Sequence, residues 1–524
     1  MITKVNLNVN TMFFCHIAIF FLLIAGILPR TVVPYWTLAL TAYVLLASLE
    51  DSTAFFVRSI PFFIAIPITG GFDSLNMWRI LSCLIFIKWF LGLSRVAFKY
   101  DRILKLQIVW RNHKATILLL GILILAILSA TQADSTVLAV KRIVYFINLS
   151  LIGVIIYDLV KKNQDFSQRL IKNIAIPTII VALIGILQQI STYYMDIFQF
   201  VDFWGGVVQR NLFGNAWADT AIRANTWFAY FGDQLSLRMF SIFPDSHSFP
   251  IFLLLGLPTV LALALERVFK KNSDNLKVIL KTRANILVVF VPIIFLAAIL
   301  SGTRGIWAAG ATSTIWAGFL IYRHRKPLNK DLRCRYIFSY LASYLTIFFL
   351  LFGPAYYILA TDQFQMAKGD TALLGARVRS LIDISETSNA RRIEIWKDSL
   401  RSIKKHPLLG VGIGNFPVVV GEDLARAKAG SSAHNLYLHI AAEMGIPALV
   451  FALWFLWLLL QKVYNNFLQT TNHKLQTIYF AGALLFIPWV LIYSLTDVAI
   501  FDERAFLLFV TTVALIFSQK ENGE

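Results

Sequence analysis

The residues best suited to chemistry are one histidine and three arginines. His434 begins the segment HNLYLHIAAEMG, whereas Arg238, Arg304 and Arg392 lie in RMFSIF, SGTRGIW and ARRIEIW. Guanidinium groups suit bidentate binding of phosphate, and a histidine with an ordinary pKa near ~6.5 suits proton transfer at neutral pH. Singly, each arginine fits a snorkelling or salt-bridging role better. Jointly, the four predict a diphosphate site with a general base beside it.

Four polar residues extend this candidate site. Asp245 and His247 follow the first arginine, Asn435 follows the histidine, and Glu443 comes nine residues after His434 in the same predicted helix. An ionisable residue at that depth costs several kcal/mol unless it is paired or solvated, so Glu443 is a functional hypothesis. The alternatives are that Asn435 only caps the helix and that Glu443 pairs with an arginine.

A glycine-rich turn precedes the histidine. Gly412 and Gly414 lie in HPLLGVGIGNF, where backbone N–H groups can approach phosphate oxygens closely. No strand precedes this turn, so dinucleotide binding is a poor interpretation. The other interpretation is that these glycines only turn the chain.

The sequence carries no sign of metal or cofactor chemistry. The outer loops lack H-E-x-x-H, D-x-D and Cys/His pairs at ligand spacing, and the three cysteines lie far apart. A nucleophile elbow for a serine hydrolase is also missing. We therefore expect no metal site and no cofactor.

Apolar runs throughout the chain must position these residues. Of 524 residues 58% are hydrophobic and 15% charged, and the mean hydropathy is +0.68. A bilayer core needs about 20 apolar residues per helix. The segment 53–70 is ambiguous, either a span or a re-entrant piece. These runs predict an all-α polytopic bundle of about 12–14 transmembrane helices, with spans near 12–28, 33–49, 78–96, 115–130, 143–160, 171–190, 247–265, 284–301, 305–322, 336–360, 435–460, 475–497 and 503–518.

The formal net charge of +19 has a simple origin. Alternate loops hold 23 basic residues against 5 acidic ones, and cytoplasmic loops of membrane proteins carry such an excess. The charge therefore indicates topology and gives no reason to expect a nucleic-acid partner. The loops concerned are 96–114, 161–172, 266–283, 323–335 and 461–474.

The same alternation places two long loops outside the cytoplasm. They cover residues 191–246 and 361–434, and an amphipathic helix is predicted near 390–405. Loops of this length tend to be functional. The sequence thus predicts a single membrane domain, 1–524, with its chemistry on the extracytoplasmic face.

At these residues the sequence resembles the O-antigen ligase and O-antigen polymerase superfamily of bacterial membrane glycosyltransferases. The resemblance rests on SGTRGIW, ARRIEIWKDSL, HPLLGVGIGNF and HNLYLHIAAEMGIPALV, and the region 301–505 carries most of it. Two features depart from the family. The chain has SIFPDSHSF where relatives often have G-x-x-x-N-P-N, and Pro447 stands where glycine is common.

The resemblance implies metal-independent, inverting transfer of a glycan from a polyprenyl-diphosphate carrier to an acceptor hydroxyl. The arginines would stabilise the departing diphosphate, His434 would take the acceptor proton or orient the acceptor, and Glu443 or Asn435 would position it. The implied partners are a lipid-linked oligosaccharide or polysaccharide, a glycan, lipid or protein acceptor, and membrane lipids. The implied place is the bacterial inner (cytoplasmic) membrane, with the active face towards the periplasm, in surface polysaccharide or lipopolysaccharide synthesis.

Three alternatives stay open. A polymerase that extends repeat units shares these motifs with a ligase, as does an enzyme that glycosylates protein hydroxyls, so the acceptor and the sugar repeat cannot be read from them. A transporter or flippase for lipid-linked sugars would also have many spans and internal arginines. Inverted repeats and broken helices at mid-membrane, which are typical of transporters, are not clearly visible in the sequence.

Overall fold

The computed structural model of the protein describes residues 8–68, 75–97, 114–224, 226–231, 234–270, 286–323, 343–365, 387–422, 424, 431–469 and 474–519. Within these residues the fold is helical except for one two-stranded hairpin and one isolated bridge. The predicted all-α polytopic membrane bundle is confirmed.

The first part of the chain forms helices that are mostly rich in apolar residues. They are α1 (Val9–Ile24), α2 (Val32–Leu46), α3 (Leu49–Ser59), α4 (Met77–Ala97), α5 (Lys114–Ser129), α6 (Thr136–Lys162) and α7 (Asp165–Ser191).

The first long loop folds into short elements. They are α8 (Ile197–Val201), a π-helix (Asp202–Gln209), α9 (Arg210–Phe213), α10 (Asn215–Arg223), β1 (Phe228–Phe231) and β2 (Gln234–Leu237). The two strands pair antiparallel, with Phe228 opposite Leu237 and Phe231 opposite Gln234. The predicted loop is therefore a folded segment that ends next to Arg238.

The second part of the chain again forms apolar helices, with one polar helix between them. They are α11 (Ser248–Lys270), α12 (Phe290–Leu300), α13 (Arg304–Arg323), α14 (Phe352–Ala360), α15 (Thr387–Lys405), α16 (Leu436–Gln469), α17 (Lys474–Tyr493) and α18 (Glu503–Phe517). Of these, α15 is the polar one and lies where the amphipathic helix was predicted.

Six helices in the described part of the chain are long and apolar enough to cross a bilayer. They comprise α5 to α7, α11, α16 and α17, and four shorter apolar helices accompany them. Helices α11 and α17 pack on each other and are almost wholly buried, whereas α5 is mostly exposed. The first two therefore form the centre of the bundle, and α5 lies at its surface.

The ambiguous segment 53–70 is a broken helix. Helix α3 ends at Ser59, a short 3₁₀ turn follows at Ile60–Phe62, and the chain then runs extended to a bridge between Ala65 and Asn76. Pro61 lacks the N–H that would continue the helix. Residues 53–66 are buried, so the non-helical backbone after Ser59 lies within the protein, as a membrane interior requires.

Arg58 on α3 is a buried charge with named partners. Its Nε donates to Asn173 Oδ1 at 2.7 Å and its Nη1 to Asn10 Oδ1 at 2.6 Å. A buried guanidinium is tolerated where such hydrogen bonds replace water. Arg58 therefore ties α3 to α7 and α1.

Several helix ends meet at one end of the bundle, which we call the site face. The Leu436 N–H at the start of α16 donates to Ser494 O just after α17, at 2.8 Å. Thr303, just before α13, donates from Oγ1 to Ser246 O, just before α11, also at 2.8 Å. The candidate residues lie among these ends.

Candidate functional site

Arg238 is held by the hairpin that precedes it. Its backbone N–H donates to Trp227 O at 2.8 Å, which extends the pairing of β1 and β2 by one step. The Trp227 ring stacks on Phe240 with a centroid separation of 4.2 Å. Gln188 Oε1 on α7 accepts from the N–H groups of Phe240 and Ser241. The position of Arg238 thus depends on folded structure on both sides.

Asp245 and His247 lie at the start of α11. Asp245 Oδ1 accepts from the N–H groups of His247 at 2.8 Å and Ser248 at 2.7 Å, so Asp245 caps this helix. The cap fixes the His247 backbone. The His247 side chain points to Arg238, whose Nη2 lies 3.2 Å from its Nε2.

A buried carboxylate lies on the other side of His247. Asp497 Oδ2 is 3.0 Å from His247 Nδ1, and Tyr493 Oη is 3.2 Å from the same nitrogen. Asp497 Oδ1 accepts from the N–H groups of Val498 and Ala499. The carboxylate is therefore anchored by its own loop and contacts the histidine.

His434 approaches the same carboxylate. Its Nδ1 is buried and lies 4.0 Å from Asp497 Oδ2, while its side chain remains 39% exposed. Its φ of 45° is in the left-handed region, which costs a non-glycine residue about 1–3 kcal/mol and is most frequent at functional sites. One edge of the ring thus faces Asp497, and much of the rest is accessible.

Arg392 reaches the site on α15. Trp396, one turn further along this helix, donates from Nε1 to Ala433 O at 2.9 Å, directly before His434. Ile395 and Ile403 pack on a small apolar cluster that includes Ala433. The amphipathic helix therefore packs against the start of α16 through these partly buried residues.

Arg304 begins α13 beside the same group. A Cβ on the next residue, Gly305, would lie 2.3 Å from Thr496 Oγ1 and 2.9 Å from the Tyr493 ring. Only glycine permits α13 to come this close. The close packing places the first turn of α13 against the loop that carries Asp497.

The electrostatics show that these groups interact. Burial lowers the pKa of Arg238 to about 10, and the charge of nearby Arg392 acts in the same direction. Burial alone would raise the pKa of Asp497, but its interactions with His247 and His434 outweigh this and leave the pKa well below the usual range. At neutral pH the site thus holds a charged arginine and an ionised carboxylate.

The buried Nε of Arg238 has no hydrogen-bond partner among the described residues. Buried guanidinium donors are normally satisfied, so Arg238 retains an unused hydrogen-bond donor.

Sequence reasoning missed Asp497. It lies in SLTDVAIFD, the connection of nine residues between α17 and α18. The available signal was an acidic residue in a loop too short to leave the membrane surface, next to a span.

The structure places Glu443 where α16 packs against the glycine-rich turn, a contact region that we call the interlock. Its Oε1 accepts from the Phe416 N–H at 3.2 Å and lies 3.6 Å from His439 Nε2. The Gly412 N–H donates to Glu443 O at 2.9 Å. Gly445 is non-helical inside α16, and a Cβ on it would meet Leu408 O at 2.2 Å. The carboxylate thus holds the turn against the helix.

The two candidate glycines pack on different parts of the same region, Gly412 on the connection between α5 and α6 and Gly414 on the first turn of α6. A Cβ on Gly412 would lie 2.5 Å from Ala133 Cβ, and one on Gly414 would lie 3.2 Å from Leu138 O. Both have positive φ, +95° and +76°. These contacts account for the glycines without a ligand, and their role in substrate binding stays a prediction.

Asn435 caps α16. Its Oδ1 accepts from the N–H groups of Tyr437 and Leu438, each at 3.0 Å. This is the cap that the sequence left open as an alternative. A contact between Asn435 and substrate stays a prediction.

The described residues contain no group of three or more His, Cys, Asp or Glu arranged to hold a metal ion. The charged side chains of the site instead contact one another one at a time: Asp497 contacts His247 and His434, and His247 contacts Arg238.

The fold and the site together define a helical membrane protein with a cationic, histidine-containing site at one end of its bundle. Residues 288–453 match the model of a protein family described as O-Antigen ligase. The matched segment includes Arg304, Arg392 and His434, while Arg238 and Asp497 lie on either side of it. No curated protein matches the chain significantly.

This match confirms the resemblance to the O-antigen ligase and polymerase superfamily. Together with the apolar helices, the match supports a membrane enzyme of ligase or polymerase type in surface polysaccharide synthesis.

Proposed function

We propose that the protein transfers a glycan from a polyprenyl-diphosphate carrier to an acceptor hydroxyl at the site face, on the outer side of the bacterial cytoplasmic membrane. The observation that carries the proposal is the placement of His434. Its Nδ1 is buried 4.0 Å from an ionised Asp497 while its side chain is 39% exposed, and Trp396 on α15, the helix that carries Arg392, bonds to the residue before His434.

The chemistry follows from the roles of these groups. As the acceptor oxygen bonds to the anomeric carbon, the bond from that carbon to the diphosphate oxygen breaks. His434 takes the acceptor proton, and Asp497 stabilises the imidazolium that results. Hydrogen bonds between catalytic groups are often long in a protein without its substrate, which fits the 4.0 Å separation of His434 Nδ1 and Asp497 Oδ2. A single displacement of this kind inverts the anomeric centre.

The leaving diphosphate gains charge in the transition state. Arg238, Arg304 and Arg392 stabilise that charge with donors that are already in place before the reaction. The free Nε of Arg238 adds a donor for a phosphate oxygen. This clamp needs no metal ion.

The polymerase alternative uses the same chemistry with another acceptor. The transporter alternative is distinct, because it predicts movement of an intact lipid-linked sugar without bond cleavage. Broken helices are common in transporters, and both α3, which ends in a 3₁₀ turn, and α16, which is non-helical at Gly445, are interrupted. Helix α3 contacts α1, α4 and α7, whereas α16 begins at the site face.

The experiment follows lipid-linked glycan in membranes from cells that express the His434→Ala variant. We expect transfer to fall by about 10²–10⁴-fold, the usual contribution of a general base. His406→Ala is the control, because His406 directly follows α15 and alanine keeps its backbone hydrogen bond to Ser402 O. Unchanged transfer by His434→Ala at normal expression would refute the base assignment.

A further inference from the structure

His247 connects a carboxylate to an arginine. Its Nδ1 is 3.0 Å from Asp497 Oδ2, and its Nε2 is 3.2 Å from Arg238 Nη2. Its side chain is 16% exposed, and Asp245 fixes its backbone N–H. Both ring nitrogens therefore have a protein partner, and the ring has little freedom to turn.

The two partners determine the tautomer. An ionised carboxylate only accepts hydrogen bonds, so the Nδ1 of His247 carries the proton towards Asp497. A guanidinium only donates, so the Nε2 must offer its lone pair to Arg238. The geometry thus describes a neutral imidazole that donates at one edge and accepts at the other.

Arg238 needs such an acceptor. It is buried, its Nε has no hydrogen-bond partner among the described residues, and the positive charge of Arg392 lies nearby. Two arginines that approach one site repel each other until an anion binds between them. A neutral acceptor on Arg238 holds the guanidinium in place without adding a negative charge that would compete with a phosphate.

We propose that His247 is a positioning residue that fixes the guanidinium of Arg238 for the diphosphate of the donor, while Asp497 keeps the imidazole in the required tautomer. This inference rests on the proposed function. His247 acts on diphosphate binding through Arg238 and takes no part in the proton transfer assigned to His434.

Two substitutions separate the two edges of the ring. The side chain of His247→Gln reaches the position of Nε2 and presents a carbonyl oxygen to Arg238, but loses the contact with Asp497. The side chain of His247→Asn reaches the position of Nδ1 and keeps a donor for Asp497, but leaves Arg238 without its acceptor. The variants are similar in size and polarity, so each is the control for the other.

The assay measures binding of inorganic pyrophosphate and of farnesyl diphosphate, as a short polyprenyl probe, to the full-length protein in nanodiscs. We expect His247→Gln to bind both within about threefold of the wild type. We expect His247→Asn to bind about ten- to a hundredfold more weakly, the size of one charge-assisted hydrogen bond. In transfer assays the same loss should raise the KM for the donor more than it lowers kcat.

A double-mutant cycle separates positioning from a general loss of fold. In an Arg238→Gln background, His247→Asn should cause no further loss of pyrophosphate binding. A further loss in that background overturns the inference, as do equal effects of the Asn and Gln variants. A wild type that binds neither diphosphate also overturns it. A wild type that binds diphosphate with the expected pattern but transfers no glycan supports the positioning role and refutes the proposed function alone.

Discussion

Replacing Gly305 by alanine tests how closely α13 must approach the site. The added Cβ would lie 2.3 Å from Thr496 Oγ1 and 2.9 Å from two ring carbons of Tyr493. Ordinary van der Waals contact begins near 3.4 Å, so about 1 Å of overlap has to be relieved. Thr496 is restrained, because its Oγ1 also donates to Tyr493 O at 2.9 Å. The start of α13, which carries Arg304, should therefore move away from the site.

The size of the effect follows from this displacement. Overpacking costs about 1–3 kcal/mol of stability, and a misplacement of about 1 Å can reduce an enzymatic rate by about 10²-fold. Alanine is the better helix former by about 1 kcal/mol, so helix propensity acts in the opposite direction. We expect transfer by Gly305→Ala to fall by about tenfold to 10²-fold, with a smaller loss of thermal stability.

The same helix supplies a matched control. Gly318 is exposed on α13, and a Cβ on it would meet nothing within 4 Å. Gly318→Ala should therefore keep full transfer activity and a melting temperature at or slightly above that of the wild type. Both variants would be purified and assayed for glycan transfer in proteoliposomes. Equal activity of the two alanine variants would refute the reasoning.

Three further substitutions test other parts of the structure. Glu443→Ala leaves the buried Phe416 N–H without its acceptor and should cost about 1–3 kcal/mol, seen as a lower melting temperature, whereas Glu443→Gln keeps an acceptor and most of the stability. Equal melting temperatures for the two would contradict the interlock. Burial raises the pKa of Asp502 to about 7 in the folded protein, although the charge of Arg504 opposes this shift. In the unfolded chain the same carboxyl has a pKa near ~3.9, so between these two pH values it is ionised in the unfolded chain and still protonated in the folded protein. The wild type should therefore lose stability relative to Asp502→Asn as the pH rises to about 7, and the difference between them should stay constant above that pH. A difference in melting temperature that does not change from pH 5 to 8.5 would contradict this. Arg392→Lys keeps the charge but loses the planar fork, and should raise the KM for the donor by about tenfold or more in transfer assays; an unchanged KM would argue against bidentate contact with phosphate.

The bundle could be predicted from the sequence because lipid imposes a simple rule. Each crossing requires about 20 apolar residues, and the runs near 143–160 and 171–190 correspond to α6 and α7. The segment around Pro61 could not be assigned in this way. Its backbone is satisfied by distant partners, such as the Ala65 N–H that donates to Leu212 O, and no local pattern reveals such a contact.

The site was predictable in part. His434 and Arg392 stood out because a histidine at a helix mouth and an outward arginine are chemically unusual. Asp497 did not, because its importance depends on two histidines that come from other helix ends, 63 and 250 residues away in the chain. Side chains that act through a shared partner are recognised only when the fold brings them together.

Glu443 shows the reverse case. Its depth in the predicted span made it a functional hypothesis, and the structure gives it partners within the protein instead. A buried carboxylate needs donors whatever its role, and here backbone N–H groups of the glycine-rich turn are close by. Sequence alone cannot distinguish a carboxylate that binds substrate from one that holds a loop.

The most direct test of the account measures bond cleavage at the carrier. Purified protein in proteoliposomes would be given a lipid-linked glycan and an acceptor, and free polyprenyl diphosphate and glycosylated acceptor would be quantified by mass spectrometry. The account predicts one polyprenyl diphosphate released for each glycan transferred, with both products lost together in His434→Ala. Glycan that crosses the bilayer still attached to its carrier, with no diphosphate released, would contradict it.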